Sequence, residues 1–235
     1  MQFRFLGTFA VGCGDAWHPG PSPKKGGEFI AYLGVYPRRV AALDELAEAF
    51  WPGMEIDDVR HRIHLAASGA RRYLYGLLGA DAFACRTGGY AWNPSLAIES
   101  DLEKFLAFRR MGTAEAQLAA IDLYRGEFLA GETADWLQPM RTRLATERAS
   151  ALASLAERAY GERDYARALS FGLELVDAER GSESGTRLVM RCFAGLGHRA
   201  RVLEQYARLQ SYLALAIGVE PAEETARLAH QLVGV

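Results

Sequence analysis

A six-residue pattern recurs at a fixed distance in the second half of this chain. Asp164-Tyr165-Ala166-Arg167-Ala168-Leu169 returns as His198-Arg199-Ala200-Arg201-Val202-Leu203, a spacing of 34 residues. That is the tetratricopeptide period, a helix–turn–helix unit that buries its apolar face only by stacking on its neighbours. From about Ile98 onward nothing alternates as a strand does. Helical segments rich in Ala, Leu, Arg and Glu are separated by breaks at Gly112, Gly126, Gly131, Gly161, Gly181, Gly195, Gly197 and Gly218. A last helix is expected after Pro221. The second half, 98–235, is therefore constrained to an all-α, tetratricopeptide-like helical array. Trp136, Tyr160, Tyr165, Tyr206 and Tyr212 read as packing residues of that array.

The first half, 1–97, has a different texture. Residues 2–11, QFRFLGTFAV, carry aromatic and β-branched side chains as a strand does, and the Gly- and Pro-dense GCGDAWHPGPSP reads as turns around at most a short strand. A first helix is expected from about Lys24 to Gly34, with Phe29, Ile30 and Leu33 inward and Pro37 as its stop. Asp44 can begin the second, with Leu43, Leu46, Ala47 and Phe50 inward and Trp51-Pro52 closing it. After Gly79 the pattern turns extended: a strand over Ala82–Arg86, a turn at Thr87-Gly88-Gly89, and a returning strand over Tyr90–Trp92. Strands, three helices and a terminal hairpin make an α+β winged helix, whose third helix enters the major groove while the hairpin touches the backbone beside it. No Pro- or Ser-rich linker separates the halves, so they are expected to pack together.

The third helix, Asp57 to Gly76, is the stretch with chemistry. At 100° per residue, Val59, Ile63, Ala66, Ala70 and Leu74 share one side. His61, His64, Leu65, Ser68 and Arg72 point the other way, with Arg60, Arg62 and Arg71 on the flanks. Imidazoles, a hydroxyl and guanidiniums donate to base edges and phosphates. Arg60, His61, His64, Leu65 and Ser68 are the candidate base contacts, Leu65 through a thymine methyl. Arg62, Arg71, Arg72, Arg86 and Thr87 are the candidate backbone contacts. The plainer alternative is an amphipathic surface helix whose Arg71 or Arg72 pairs with Asp57, Asp58 or another acid.

Charge restricts how DNA binding can work. The chain carries a net charge of −2, and residues 1–100 hold ten Lys or Arg against ten Asp or Glu. A binder of this balance must gather its positive charge on a small patch. Arg60, Arg62, Arg71, Arg72 and Arg86 are the residues expected to form it. The three cysteines, Cys13, Cys85 and Cys192, are odd in number and lack metal-ligand spacing, as reduced thiols of a cytoplasmic protein would be. His61 and His64 have no Cys or carboxylate to complete a metal site. Lys24-Lys25-Gly26-Gly27 lacks the order of a phosphate loop. No cofactor, no membrane span and no enzymatic constellation is expected.

In order and spacing, several stretches resemble the Streptomyces antibiotic regulatory protein family, in which an OmpR-type winged helix precedes a bacterial transcriptional activation domain. They are Phe5-Leu6-Gly7, Arg38-Arg39-Val40, Asp44-Glu45-Leu46, Phe50-Trp51, Ser68 with Arg71-Arg72, and Gly89-Tyr90. Others are Asp101-Leu102 with Phe105, Tyr124-Arg125-Gly126-Glu127-Phe128-Leu129, Asp135-Trp136, Arg141, Leu144, Tyr206, Leu209 and Gly218-Val219-Glu220-Pro221. The resemblance implies a transcriptional regulator, chiefly an activator, that binds double-stranded DNA at promoter direct repeats as a homodimer on DNA. It also implies that the loop of Trp51, Met54 and Glu55 touches RNA polymerase; alternatively Trp51 plugs the core and Met54 covers it. One departure stands out. Gly69 occupies a place where the family commonly has a basic residue, which removes one phosphate contact and leaves open a protein-interaction module that has lost DNA binding.

Overall fold

The computed structural model describes residues 1–21, 24–86 and 88–234, with the side chains of Lys24, Cys85 and Arg86 outside that description. Two compact units emerge: Met1–Arg110 with Asp122–Leu144, and Met111–Ile121 with Ala145–Val235. The chain leaves the first unit after Arg110, returns at Asp122 and leaves again after Leu144.

In chain order the first unit begins with β1 (Gln2–Arg4), β2 (Ala10–Cys13), β3 (Ala16–Pro19), α1 (Lys24–Val35), β4 (Ala41–Ala42), α2 (Leu43–Phe50) and α3 (Ile56–Leu78). There follow β5 (Phe83–Arg86), β6 (Gly89–Trp92), β7 (Glu99–Ser100) and α4 (Asp101–Met111). The strands form two sheets, ordered β3-β2-β1-β7 and β4-β6-β5. Residues 2–11 are thus two strands rather than one. Gly7, at φ +122°, takes a backbone conformation open mainly to glycine and breaks the run. The Gly- and Pro-rich stretch contributes β3, paired antiparallel to β2 from Ala10↔Pro19 to Cys13↔Ala16.

A second difference lies at the start of α2. The cap residue is Ala42, not Asp44, and Glu45 reaches back to accept the Ala42 N–H at 3.3 Å. The β4 pairing of Ala41 with Tyr90 and Ala42 with Gly89 fixes where the helix can begin. Here glycine is required by space, since a Cβ on Gly89 would sit 2.1 Å from the Ala41 carbonyl oxygen.

Aromatic side chains bind sheet, helix and hairpin into one core. Phe3 lies 5.4 Å from Trp92, Trp92 4.8 Å from Phe83, and Phe83 5.4 Å from Phe29 between ring centroids. The Trp92 indole N–H donates to the Leu33 carbonyl at 2.8 Å, so its buried polar atom is satisfied.

Strand structure also occurs after residue 98, against expectation. β7 pairs in parallel with β1, and Phe128 bridges to Leu6 and Gly7. Leu129 N–H donates to the Phe5 carbonyl at 2.8 Å, Gly7 N–H to Glu127 at 3.1 Å, and Ala130 N–H to Gly7 at 2.9 Å. The Asp101 carboxylate accepts the Phe5 and Leu6 N–H groups at 2.8 and 3.2 Å. Burial pushes its pKa up, opposed by those donors and by Arg125. Trp136, in a 3₁₀ turn at Asp135–Leu137, packs against Tyr32 of α1 at 5.1 Å and Phe128 at 6.5 Å. It is a packing residue of the first unit, not of the helical array.

Between these segments runs α5 (Ala114–Leu123), and α6 (Gln138–Gly161) follows them. The second unit continues with α7 (Tyr165–Ala178), α8 (Glu183–Gly195), α9 (Arg199–Ala216) and α10 (Glu223–Val233). Neighbours in sequence pack on one another from α7 to α10. Both copies of the recurring pattern lie at a helix start, with Asp164 capping α7 and His198 capping α9. Small residues let the helices approach: Ala156, Ala159 and Ala168 form a cluster with Leu188 and Cys192. Burial raises the Cys192 thiol to about 11, which keeps it protonated and inert. The start of α10 is held by Glu183, which accepts from Ala222 N–H at 2.9 Å and the Thr225 hydroxyl at 2.6 Å.

Candidate nucleic-acid interface

The framework of the candidate interface is α3. Acidic Asp57 and Asp58 in its first turn suit the positive end of the helix dipole, and Gly79 in the left-handed region ends it. Val59, Ile63, Ala66, Ala70 and Leu74 are all buried, as the periodicity requires, and Ala67 joins them. His61, Arg62, His64, Leu65, Ser68 and Arg72 are all exposed. Leu65 is 58% exposed, an apolar side chain held out in water on the candidate reading face.

His64 has an additional tie. Its Nδ1 lies 2.6 Å from the Tyr90 hydroxyl of β6, so an expected base contact also links the helix to the hairpin. One ring nitrogen is engaged, and Nε2 is the atom left to face a ligand.

The five arginines differ in state. Arg60 meets Asp57 at 3.3 Å and Arg71 meets Asp81 at 3.0 Å, all four being substantially exposed. Asp81 also accepts the Phe83 N–H at 3.2 Å, so Arg71 braces the turn into the hairpin. Arg62 and Arg72 have no acidic partner among the described residues. The Arg86 side chain and Thr87 lie outside the described residues. Arginines expected as one free patch are therefore two open cations and two that share charge with neighbouring acids.

Gly69 has nothing within 4 Å of where its Cβ would be. With Arg62, Leu65, Lys25 and Trp51 it borders a mostly apolar groove of about 210 Å³. Lys25 stands 5.3 Å from the Trp51 ring and donates to the Phe50 carbonyl at 3.1 Å. In the loop before α3, Trp51 is half-buried against Phe50, whereas Met54 and Glu55 are exposed. Tyr75, 58% exposed, was missed by the sequence reading. It lies three residues beyond Arg72 and seven beyond Ser68, so the same periodicity reaches it. The place of Lys25 beside this face depends on tertiary packing and had no local signal.

Among the described residues no group of His, Cys, Asp and Glu could hold a metal ion, and no helix is long and apolar enough to cross a membrane.

Residues 101–233 match the bacterial transcriptional activator domain. The regulatory protein AfsR of Streptomyces griseus is 27% identical over 246 aligned residues, which take in 99% of this chain and 24% of that protein. The chain thus spans about a quarter of the length of that relative. Among solved structures, Mycobacterium tuberculosis EmbR in complex with a low affinity phosphopeptide superposes with a TM-score of 0.77 at 21% identity. That match covers 99% of this chain and 65% of the other, a likeness of fold. With more than half its length matched by one domain, the chain belongs to the bacterial transcriptional activator domain family.

Proposed function

We propose that this chain is a cytoplasmic transcriptional regulator of the Streptomyces antibiotic regulatory protein type, and an activator. Its first hundred residues act as a winged helix in which α3 enters the major groove of promoter DNA and the β5–β6 hairpin lies on the backbone. The observation that carries this reading is the exposed stripe of His61, Leu65, Ser68 and Arg72, flanked by Arg62 and fixed to the hairpin through His64 and Tyr90. Arg62 and Arg72, which no described acid neutralises, set the register on phosphates; His61, Leu65, Ser68 and Nε2 of His64 meet base edges. Two copies bind direct repeats, and Trp51, Met54 and Glu55 face RNA polymerase. The kinship with a protein named as regulatory, at 27% identity along 99% of the chain, supports this assignment.

An electrophoretic shift with promoter fragments of the source genome at two salt concentrations tests it. Sequence-preferring binding that weakens steeply with salt is expected, and Arg62→Ala or Arg72→Ala each lowers the slope by about 0.9.

The second reading is a protein-interaction module whose winged helix no longer binds DNA. The apolar groove beside Gly69, on the face where a basic residue would stand, favours it. Absence of any shift even at low salt decides for this alternative.

A further inference from the structure

The second unit contains a groove for which DNA reading has no use. Because α7 and α9 start at equivalent points of the 34-residue spacing, their residues can be compared position by position. Ala168 corresponds to Val202 and Leu175 to Leu209, all four buried and apolar. Phe171 packs on two of the apolar clusters, and its counterpart in α9 is Gln205. Gln205 is only 4% exposed, yet its amide forms no hydrogen bond among the described residues. That amide is not among the polar atoms shut off from water, so the little exposure that remains turns a polar group toward the groove where the repeat has a packed ring.

That amide lines a groove of about 600 Å³, within the usual range of ligand sites. Its apolar wall is built by Leu169 and Leu173 of α7 with Phe193 and Leu196 around the end of α8. The opposite wall is α9, with Arg201, Glu204 and Arg208. Arg201 is paired with Glu204 at 2.8 Å and contributes no net charge. Arg208 has no acidic partner among the described residues. Its counterpart in α7 is Glu174, which binds Arg148 at 3.0 Å, so the charge is reversed where the groove lies.

We propose that this groove binds an acidic peptide segment of a partner protein. Apolar side chains of the segment seat on Leu169, Leu173 and Phe193, and one carboxylate meets Arg208. The Gln205 amide, a donor and an acceptor side by side, pairs with a peptide C=O and N–H. A simple anion would not use the apolar wall, and an apolar ligand would leave both Gln205 and Arg208 unsatisfied. The inference does not depend on DNA binding.

The test is fluorescence anisotropy of the whole chain with fluorescein-labelled hexapeptide pools. Each pool is degenerate over Leu, Phe, Ala and Ser, with Glu, Gln or Lys fixed at one position. The Glu pool is expected to bind at least ten-fold more tightly than the Lys pool. Arg208→Glu should reverse that order, which loss of folding cannot do. Gln205→Leu should weaken the Glu pool at least ten-fold while the melting temperature holds or rises. Equal binding of all pools, or none, overturns the proposal. So does a Gln205→Leu variant that melts lower and binds unchanged. A dimer in sedimentation that both substitutions dissociate would make a second copy the occupant, and likewise overturns it. A DNA shift that persists in both variants keeps this test separate from that of the regulator assignment.

Discussion

Arg141 holds three backbone carbonyls at once, a task its planar fork suits and a lysine's does not. Nε donates to Phe128 at 2.9 Å, and one terminal nitrogen donates to Leu129 and Glu132 at 2.9 and 2.8 Å, with the side chain 10% exposed. These bonds keep in place the loop that pairs with Phe5, Leu6 and Gly7 just after the first strand, including Leu129 at φ +51°. Arg141→Ala should destabilise the protein by about 3 kcal/mol in urea unfolding, and Arg141→Lys should restore only part of it. Asp101 makes a comparable tie to Phe5 and Leu6, but burial raises its pKa. The native carboxyl therefore holds its proton more tightly than the unfolded one. Its contribution is present below the unfolded value, about 3.9, and is lost as pH rises through the raised native value. Asp101→Asn removes one acceptor, and the difference in urea midpoint from the native protein should be largest below about pH 4 and shrink as pH rises. A constant difference across that range would refute the linkage.

At the scale of elements, α3 was legible because twenty-odd residues of helix repeat their period several times. Every residue assigned to its apolar face is buried. The hairpin was legible from its turn chemistry. What was not legible is short or distant. A two-residue strand such as β7 has no period to detect, the start of α2 is set by pairing of β4 with β6, and the bridge from Phe128 to Leu6 spans more than half the chain. Of the site, which residues face outward followed from periodicity; which arginines are neutralised did not, since Asp81 approaches Arg71 only once the turn after the helix has formed. Gly69 offers a test within this element. With open space around it and helical backbone, Gly69→Ala should stabilise by up to about 1 kcal/mol, read from thermal unfolding. Gly69→Lys should steepen the salt dependence of DNA binding by about 0.9.

At the scale of the molecule, the stretch 122–144 belongs with the N-terminal elements through Phe128 and Trp136, with Arg141 bracing the loop between them. A fragment of residues 1–97 lacks all three and exposes the Phe5 and Gly7 carbonyls that pair with Leu129 and Ala130. Residues 1–144 should melt in one cooperative transition by circular dichroism. Residues 1–97 should melt over a broad range or aggregate; equal cooperativity of the two fragments would show the added segment to be dispensable. The chain passes between the units at 110, at 121 and at 144. In genetic terms, no lone crossover in the gene can transplant the N-terminal unit whole without carrying along residues 111–121 of its neighbour.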